Sequence, residues 1–342
     1  MKIPENIIIS RTDSIGDIIL ALPVAGVLKK YFPGIKIGLM GKEYTREIVM
    51  ASGHIDEFID VNDFLAKQIL LDGKKPAAII HLLTNKIIAK RAAELKIPLR
   101  IGTTGRIYHW FTCNKLVRLS RNRSHLHEAQ LNLKLLKPFG INTSFSFEDI
   151  SGLYALTRLQ PLSGKYSGLL EKDKYNIIIH PKSQGNAREW PADHFIQLIN
   201  LLDAAAYNIF ISGVEKEKEY VQQIIKKINK PVTDIAGIIP LGQFISFIAQ
   251  CDGVVANSTG PLHIAAALAK DAIGIYPPLK PKHPGRWGPI GVKTIVFVLN
   301  KNCTDCKKNK DHCSCINAIQ ALEVKAALDK CMLDKKDNIL IS

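Results

Sequence analysis

A carboxylate stands where an anion would otherwise bind. In the stretch RTDSIGDIILALP, Arg11 to Pro23, Asp17 follows a polar turn, Thr12 to Gly16, between the strand-like run NIIIS (Asn6 to Ser10) and an apolar helical run beginning at Asp17. A helix N-terminus after such a turn offers unpaired N–H groups and a partial positive charge, and nucleotide-binding folds hold diphosphates there. Asp17 either caps its own helix or has a chemical task at that edge.

The second half carries loops of the opposite character. HPKSQGNAREWP, His180 to Pro191, leaves a strand, crosses a Gly-containing loop and reaches Arg188 just before a helix start marked by Pro191. Lys182 and Arg188 suit a diphosphate. VVANSTGPLHIAAAL, Val254 to Leu268, places Ser258, Thr259 and Gly260 between a strand and a helix, a second anion cradle. His263 lies in that helix's first turn, as a ligand contact or as a packing histidine. Glu217, in SGVEKEKEY, either accepts from ribose hydroxyls or compensates the dipole of an exposed helix. Together these loops indicate a nucleotide-type ligand without naming it.

Elements that position such loops alternate along the chain. Lys36 to Met40, Glu57 to Val61 and Ala77 to Leu82 read as strands after the first, with amphipathic stretches between. The rhythm breaks at Ser163 to Lys174, rich in Gly, Ser and charge as linkers are, and resumes with strands at Tyr175 to His180, Tyr207 to Ser212, Gly253 to Ala256 and Ala272 to Tyr276. The halves even begin alike, NIIISRTDSIGD against NIIIHPKSQGNA. Two α/β units in tandem are expected, each with its first turn at the carboxyl end of its strands, where open α/β sheets bind ligands. The expected boundaries are 1–165 for the first unit, 166–315 for the second, and 316–342 for a C-terminal helix and tail, helical from Leu322 to Leu328 and packing back across both.

With 342 residues, 46% of them hydrophobic, the chain can bury two cores. It lacks a run of the ~20 apolar residues that spans a bilayer, and its N-terminus lacks the order of a signal peptide, so a cytoplasmic location is expected. The net charge of +15 favours an anionic partner: nucleic acid, acidic lipid or a phosphorylated sugar. Seven cysteines argue against a disulfide scaffold, but Cys303, Cys306, Cys313 and Cys315, in CTDCKKNKDHCSC, offer four thiols that could hold a structural zinc. The tight C-x-C second pair argues against it.

The combination DSIGDIILALP, REWPADHF and NSTGPLHIAAALAK, with DEFIDV, IPLRIGTTG and HEAQLNLKLLKPFG in order between them, resembles the ADP-heptose:lipopolysaccharide heptosyltransferases of glycosyltransferase family nine. The resemblance implies a GT-B fold, two Rossmann-like domains facing each other across a cleft, with the acceptor held mainly by the first and the nucleotide sugar by the second. It places Asp17 on the general base of an inverting transfer, and Arg11, Ser14 and Gly16 on the acceptor side. Lys182, Arg188, Glu217, Ser258, Thr259, Gly260 and His263 fall on the donor side. The chain departs from some members by having Ser258, after Asn257, where they carry Asp.

Such a transfer requires no cofactor, because cations and helix ends meet the departing diphosphate. The implied partners are ADP-heptose or a related nucleotide sugar, an anionic lipopolysaccharide-core acceptor, and the anionic inner face of the cytoplasmic membrane. Candidates for that last contact are the basic stretches Lys90 to Arg100 and Arg118 to His125, although solvated helix faces are the commoner explanation of such runs. Two rival functions are a transferase for another nucleotide sugar or glycan and a nonenzymatic nucleic-acid binder. The second lacks any recognisable nucleic-acid module, so no nucleic-acid partner is expected.

Overall fold

A computed structural model describes residues 3–341 apart from 184, 186 and 300–312. The chain divides into two compact units, 1–159 and 160–342. The first holds six parallel strands: β1 (Asn6–Ser10), β2 (Lys36–Gly41), β3 (Glu57–Asp60), β4 (Ala78–His81), β5 (Leu99–Thr103) and β6 (Lys115–Val117). Their order is β3-β2-β1-β4-β5-β6. The second repeats the plan with β7 (Tyr175–His180), β8 (Tyr207–Ile211), β9 (Thr233–Asp234), β10 (Gly253–Asn257), β11 (Asp271–Ile275) and β12 (Thr294–Phe297), in the order β12-β11-β10-β7-β8-β9. Read from its own first strand, the second sheet has the same order as the first. Both units are therefore Rossmann-like, as the GT-B expectation requires.

In each unit the first strand sits beside the fourth, so the chain leaves the first strand toward one side and the fourth toward the other. Loops diverge there, and open α/β sheets bind ligands at that point. Ser10 pairs in register with His81 across β1 and β4, and His180 with Ala256 across β7 and β10. The central strands are apolar because helices cover both faces: Ile7, Ile8 and Ile9, and again Ile177, Ile178 and Ile179, are fully buried.

The Gly/Ser-rich stretch near residue 163 belongs to the second unit. Tyr166 is buried and its hydroxyl donates to the Ile238 carbonyl at 3.1 Å, while the Ser163 amide donates to Gln243 Oε1 at 2.8 Å. The compact units accordingly divide six residues earlier than composition suggests. The C-terminal helix runs Ala321–Ile341, and its Val324, Leu328 and Cys331 lie in the core of the second unit with Trp190 and Phe195.

Trp190 is the keystone of that core. It is fully buried, its indole N–H donates to the Ile319 carbonyl at 2.9 Å, and its ring meets Phe195 edge to face. Truncation would open a large cavity beneath the C-terminal helix. Trp190→Ala should cost about 3–5 kcal/mol of stability, read as a lowered urea midpoint for the full chain. An unchanged midpoint would show that the helix packs without it.

Candidate functional site

At the carboxyl end of β1 the chain passes directly into a buried ionic cluster. Arg11 is 2% exposed and its guanidinium serves three carboxylates. Its Nε donates to Asp13 Oδ1 at 2.7 Å, its Nη1 to Glu128 Oε1 at 2.8 Å, and its Nη2 to Asp17 Oδ1. Burial by itself would lower the guanidinium pKa, but Asp13, Asp17 and Glu128 together raise it, so Arg11 is a permanent cation. Burial also pushes the Asp13 carboxyl up to about 6, with Arg11 opposing and Asp17 reinforcing the rise.

Asp17 lies in the first turn of the short helix Ile15–Ile19, and Ser14 Oγ donates to its Oδ2 at 2.6 Å. Both carboxylate oxygens are thus gripped by side chains, and among the described residues neither accepts from a backbone N–H. That separates Asp17 from an ordinary helix cap. Its side chain keeps 16% of its surface open to solvent, enough for a further hydrogen bond to a bound hydroxyl. Gly16 is buried in the same turn.

The cluster is closed from a distant part of the chain. Glu128, 1% exposed, opens the helix Glu128–Leu133 and also accepts from Arg121 Nε at 3.0 Å. Asn132, one turn on, accepts from Arg121 Nη2 at 3.1 Å and donates to the Leu20 carbonyl at 3.1 Å. Arg121 Nη2 also donates to the Leu82 carbonyl beyond β4, at 2.7 Å. The loops after β1 and β4 are therefore joined by one polar network.

Sequence reasoning missed Asp13, Arg121, Glu128 and Asn132. HEAQLN contains two of them, but an acid at a helix start ordinarily signals only dipole compensation.

In the second unit the donor candidates fall on three loops at the carboxyl ends of adjacent strands, β10, β7 and β8. Lys182 and Arg188 flank the loop after β7. Lys182 Nζ is ion-paired to Glu189 Oε2 at 2.6 Å and lies 4.5 Å from the centre of the Tyr220 ring. Glu189 Oε1 accepts from both the amide and the hydroxyl of Ser183, each at 2.9 Å, so one carboxylate folds the loop onto itself. Gly185, at φ +77°, supplies the left-handed turn this needs. Arg188 is half-buried on the same loop.

Asn257, at the end of β10, is fully buried and joins the loops. Its Oδ1 accepts from the Trp190 amide at 2.8 Å and its Nδ2 donates to the Pro181 carbonyl at 2.8 Å. After it come Ser258, then Thr259 at the N-cap of the helix Gly260–Ala267, then Gly260 at that helix's first position. His263 is buried in the first turn. Thr259 makes no side-chain cap, and its buried Oγ1 has no hydrogen-bond partner among the described residues.

Glu217 is 6% exposed and caps the turn that leads into the helix Lys218–Ile225. Its Oε2 accepts from the Val214 amide at 2.9 Å, and its Oε1 is buried without a partner among the described residues. His180, beside these loops, bonds Ser212 Oγ through Nδ1 at 2.9 Å. Burial holds its pKa down to about 4, so the imidazole is neutral. The arrangement offers helix N–H groups, two cations and two unsatisfied buried acceptors or donors around one sheet edge, which suits a phosphorylated, hydroxyl-rich ligand.

The remaining candidates fare unevenly. Cys303 and Cys306 lie outside the described residues, while Cys313 and Cys315 are buried in the apolar core of the second unit. In the two basic stretches several cations turn inward. Arg91 donates to the Phe64 and Lys67 carbonyls, Arg100 to the Ile97 and Thr112 carbonyls, and Arg121 serves the ionic cluster. Lys90, Lys96, Arg118 and Arg123 are exposed.

Comparison with known proteins gives this geometry its family. Residues 89–317 match the model of glycosyltransferase family 9 (heptosyltransferase). Lipooligosaccharide heptosyltransferase 2 of Campylobacter jejuni is 23% identical over 301 residues, 85% of this chain and 87% of that protein. Among solved structures, a family 9 glycosyl transferase from Veillonella parvula aligns with a TM-score of 0.76 at 20% identity, over 96% of this chain and 97% of that one. The Escherichia coli ADP-heptose lipopolysaccharide heptosyltransferase II aligns at 0.74 and 19% identity, over 97% and 99%. The duplicated sheets, the gripped carboxylate and the three-loop edge thus sit in a chain that belongs to glycosyltransferase family 9.

Proposed function

We propose that this glycosyltransferase transfers heptose from ADP-heptose to the inner core of lipopolysaccharide with inversion at the anomeric carbon, and that Asp17 is its general base. One observation carries the reading: a partly exposed carboxylate at the carboxyl edge of the first sheet is held by Arg11 and Ser14 and caps nothing. A base must keep an oxygen within hydrogen-bond reach of the acceptor hydroxyl while the anomeric bond breaks. Arg11, itself fixed by Glu128, positions that oxygen. Ser14 and the Gly16 backbone shape the acceptor side of the turn.

On the donor side, Arg188 and Lys182 meet the diphosphate together with the N–H groups opening the helix Gly260–Ala267, and stabilise the charge that develops on the leaving ADP. Ser258 and Thr259 hydroxyls add hydrogen bonds, and His263 stands buried in the first turn of that helix. Glu217 Oε1, buried and unsatisfied, accepts from the ribose. Proton removal, positioning and neutralisation of the leaving group are all assigned to side chains and helix ends, so no metal or other cofactor is required. The acceptor is membrane-anchored, so the enzyme acts at the inner face of the cytoplasmic membrane. Among the described residues no helix is long and apolar enough to cross it.

Asp17→Asn keeps size and hydrogen bonding but removes the base. The variant should melt near the wild-type temperature, bind ADP normally, and lose single-turnover transfer from ADP-heptose to a deacylated core by a factor on the order of 10² or more. Near-wild-type transfer would end the catalytic assignment.

Arg188→Ala should weaken ADP in calorimetric titration by about tenfold or more, as loss of a charge-assisted bond does, without lowering stability appreciably. An unchanged Kd would take Arg188 out of the site. Transfer should also persist in excess EDTA, and a metal-reversible loss would refute the cofactor-free scheme. Metal analysis of the purified protein would then distinguish a catalytic ion from zinc on the cysteine cluster.

A further inference from the structure

The helix Ile107–Thr112 is built the wrong way round for a soluble surface. His109 faces inward and is fully buried, while Ile107, Trp110 and Phe111 are 81%, 61% and 83% exposed. Spaced i, i+3 and i+4, these three share one helix face. The neighbouring helix Lys86–Glu94 packs against this one and adds Ile87, 66% exposed. Isolated exposed apolar residues are ordinary, but three consecutive members of one face, two of them aromatic, are not.

The Trp110 ring is also held in place. Its Nε1 donates to the Thr104 carbonyl at 3.1 Å, so the indole's polar edge is satisfied by the protein and its apolar surface is what remains to present. The backbone before the helix is tied as well, through Arg106 Nε to Thr84 Oγ1 at 3.2 Å.

Charge around the patch is one-sided. Residues 84–125 contain ten Lys and Arg and a single acid, Glu94, a net of nine positive charges, and seven of the ten cations, all but the inward-turned Arg91, Arg100 and Arg121, are exposed. The whole first unit, residues 1–159, has twenty-three Lys and Arg against fourteen Asp and Glu, also a net of nine. Outside the segment the unit is neutral. Lys86 and Lys90 flank Ile87 on its helix, Arg106 precedes Ile107, and Lys115 and Arg118 follow, all exposed. Apolar side chains with aromatic anchors amid Lys and Arg match a bilayer interface of anionic phospholipid, where rings settle at headgroup depth and cations meet lipid phosphates. A protein partner of mixed charge would not call for such one-sided basicity.

We propose that the face formed by Ile107, Trp110 and Phe111, with Ile87, inserts shallowly into an anionic lipid surface and docks the first unit there. This deepens the reading of a membrane-anchored acceptor by naming the element that makes the contact, yet it requires no particular donor or acceptor sugar.

Sedimentation of the full chain with vesicles of phosphatidylglycerol and phosphatidylcholine, free of any glycolipid, tests it. Binding should be strong on anionic vesicles and at least tenfold weaker on phosphatidylcholine alone. The triple variant Ile107→Ser, Trp110→Ser, Phe111→Ser should bind anionic vesicles at least tenfold more weakly than wild type, with an unchanged ADP Kd and melting temperature. If that variant folds poorly, Trp110 fluorescence serves instead. The wild-type emission should shift to the blue on anionic vesicles and be quenched by brominated lipid, and Trp110→Phe should abolish the shift while retaining binding. Equal binding by the folded triple variant, or an unshifted Trp110, would overturn the proposal. So would a wild-type dimer that the triple variant turns into a monomer in the absence of lipid, since the patch would then be a protein interface. Because the vesicles hold no acceptor and ADP binding is measured separately, failure here leaves the transferase reading intact.

Discussion

A guanidinium buried among three carboxylates governs the first unit. A desolvated cation is costly unless its hydrogen bonds are met by opposite charge, and Arg11 at 2% exposure has almost no water to fall back on. Its partners come from the turn itself, Asp13 and Asp17, and from a helix more than a hundred residues away, Glu128. Removing one partner of such a buried pair typically costs about 3–5 kcal/mol, because the other charge is stranded. The cluster therefore fixes where the helix Glu128–Leu133 lies against β1. That same constraint orients Asp17, so the geometry of the proposed base follows from the electrostatics of folding.

The second unit solves the equivalent problem without charge. Its diverging loops are joined by Asn257, whose amide both accepts from the Trp190 backbone and donates to the Pro181 carbonyl. A neutral amide at that point leaves the local field to Lys182, Arg188 and the helix opening at Gly260. A carboxylate there would have opposed them. One position on, Ser258 stands where some members carry Asp, so the loop adds no negative charge of its own before Thr259 and Gly260. Glu189 holds Lys182 in an ion pair, so in the proposed donor site a diphosphate would share that lysine with a carboxylate. On that proposal Arg188 and the backbone amides carry the larger part of the attraction.

Features encoded locally were legible in the sequence. Strands β1, β2, β7 and β8 announce themselves as apolar runs, and the repeated Asn-Ile-Ile-Ile opening marks the duplication. Strands β6 and β9 did not, because Lys115–Val117 and Thr233–Asp234 are too short and too polar for an alternation to register. β5 and β12 are edgeward strands with partly exposed residues, and they escaped for a related reason. The helical run expected from Asp17 to Leu22 breaks instead into Ile15–Ile19 and Leu22–Tyr31, with Pro23 in the first turn of the second. At the site, Asp17, Arg188 and the Ser258–Gly260 loop stood out because turn chemistry is local. Glu128 and Asn132 could not, since their meaning lies in Arg11, far away along the chain.

Charge shows the same limit in another form. A net of +15 foretells an anionic partner but not which cations face it. Arg11, Arg91, Arg100 and Arg121 are drawn inward to carboxylates and carbonyls, where planar, multiply donating guanidiniums satisfy several acceptors at once. Lysines, which hydrate more strongly and bury less readily, stay outside: Lys86, Lys90, Lys96 and Lys115 are all exposed. The surface field of the first unit is thus set largely by lysines, with Arg106, Arg118 and Arg123, in one segment of an otherwise neutral unit. Screening at physiological salt limits such a field to about 8 Å, so it can orient the protein only against a surface already close by. In the proposed docking, the apolar side chains at the centre of the same segment supply the attraction at contact, where that field is strongest.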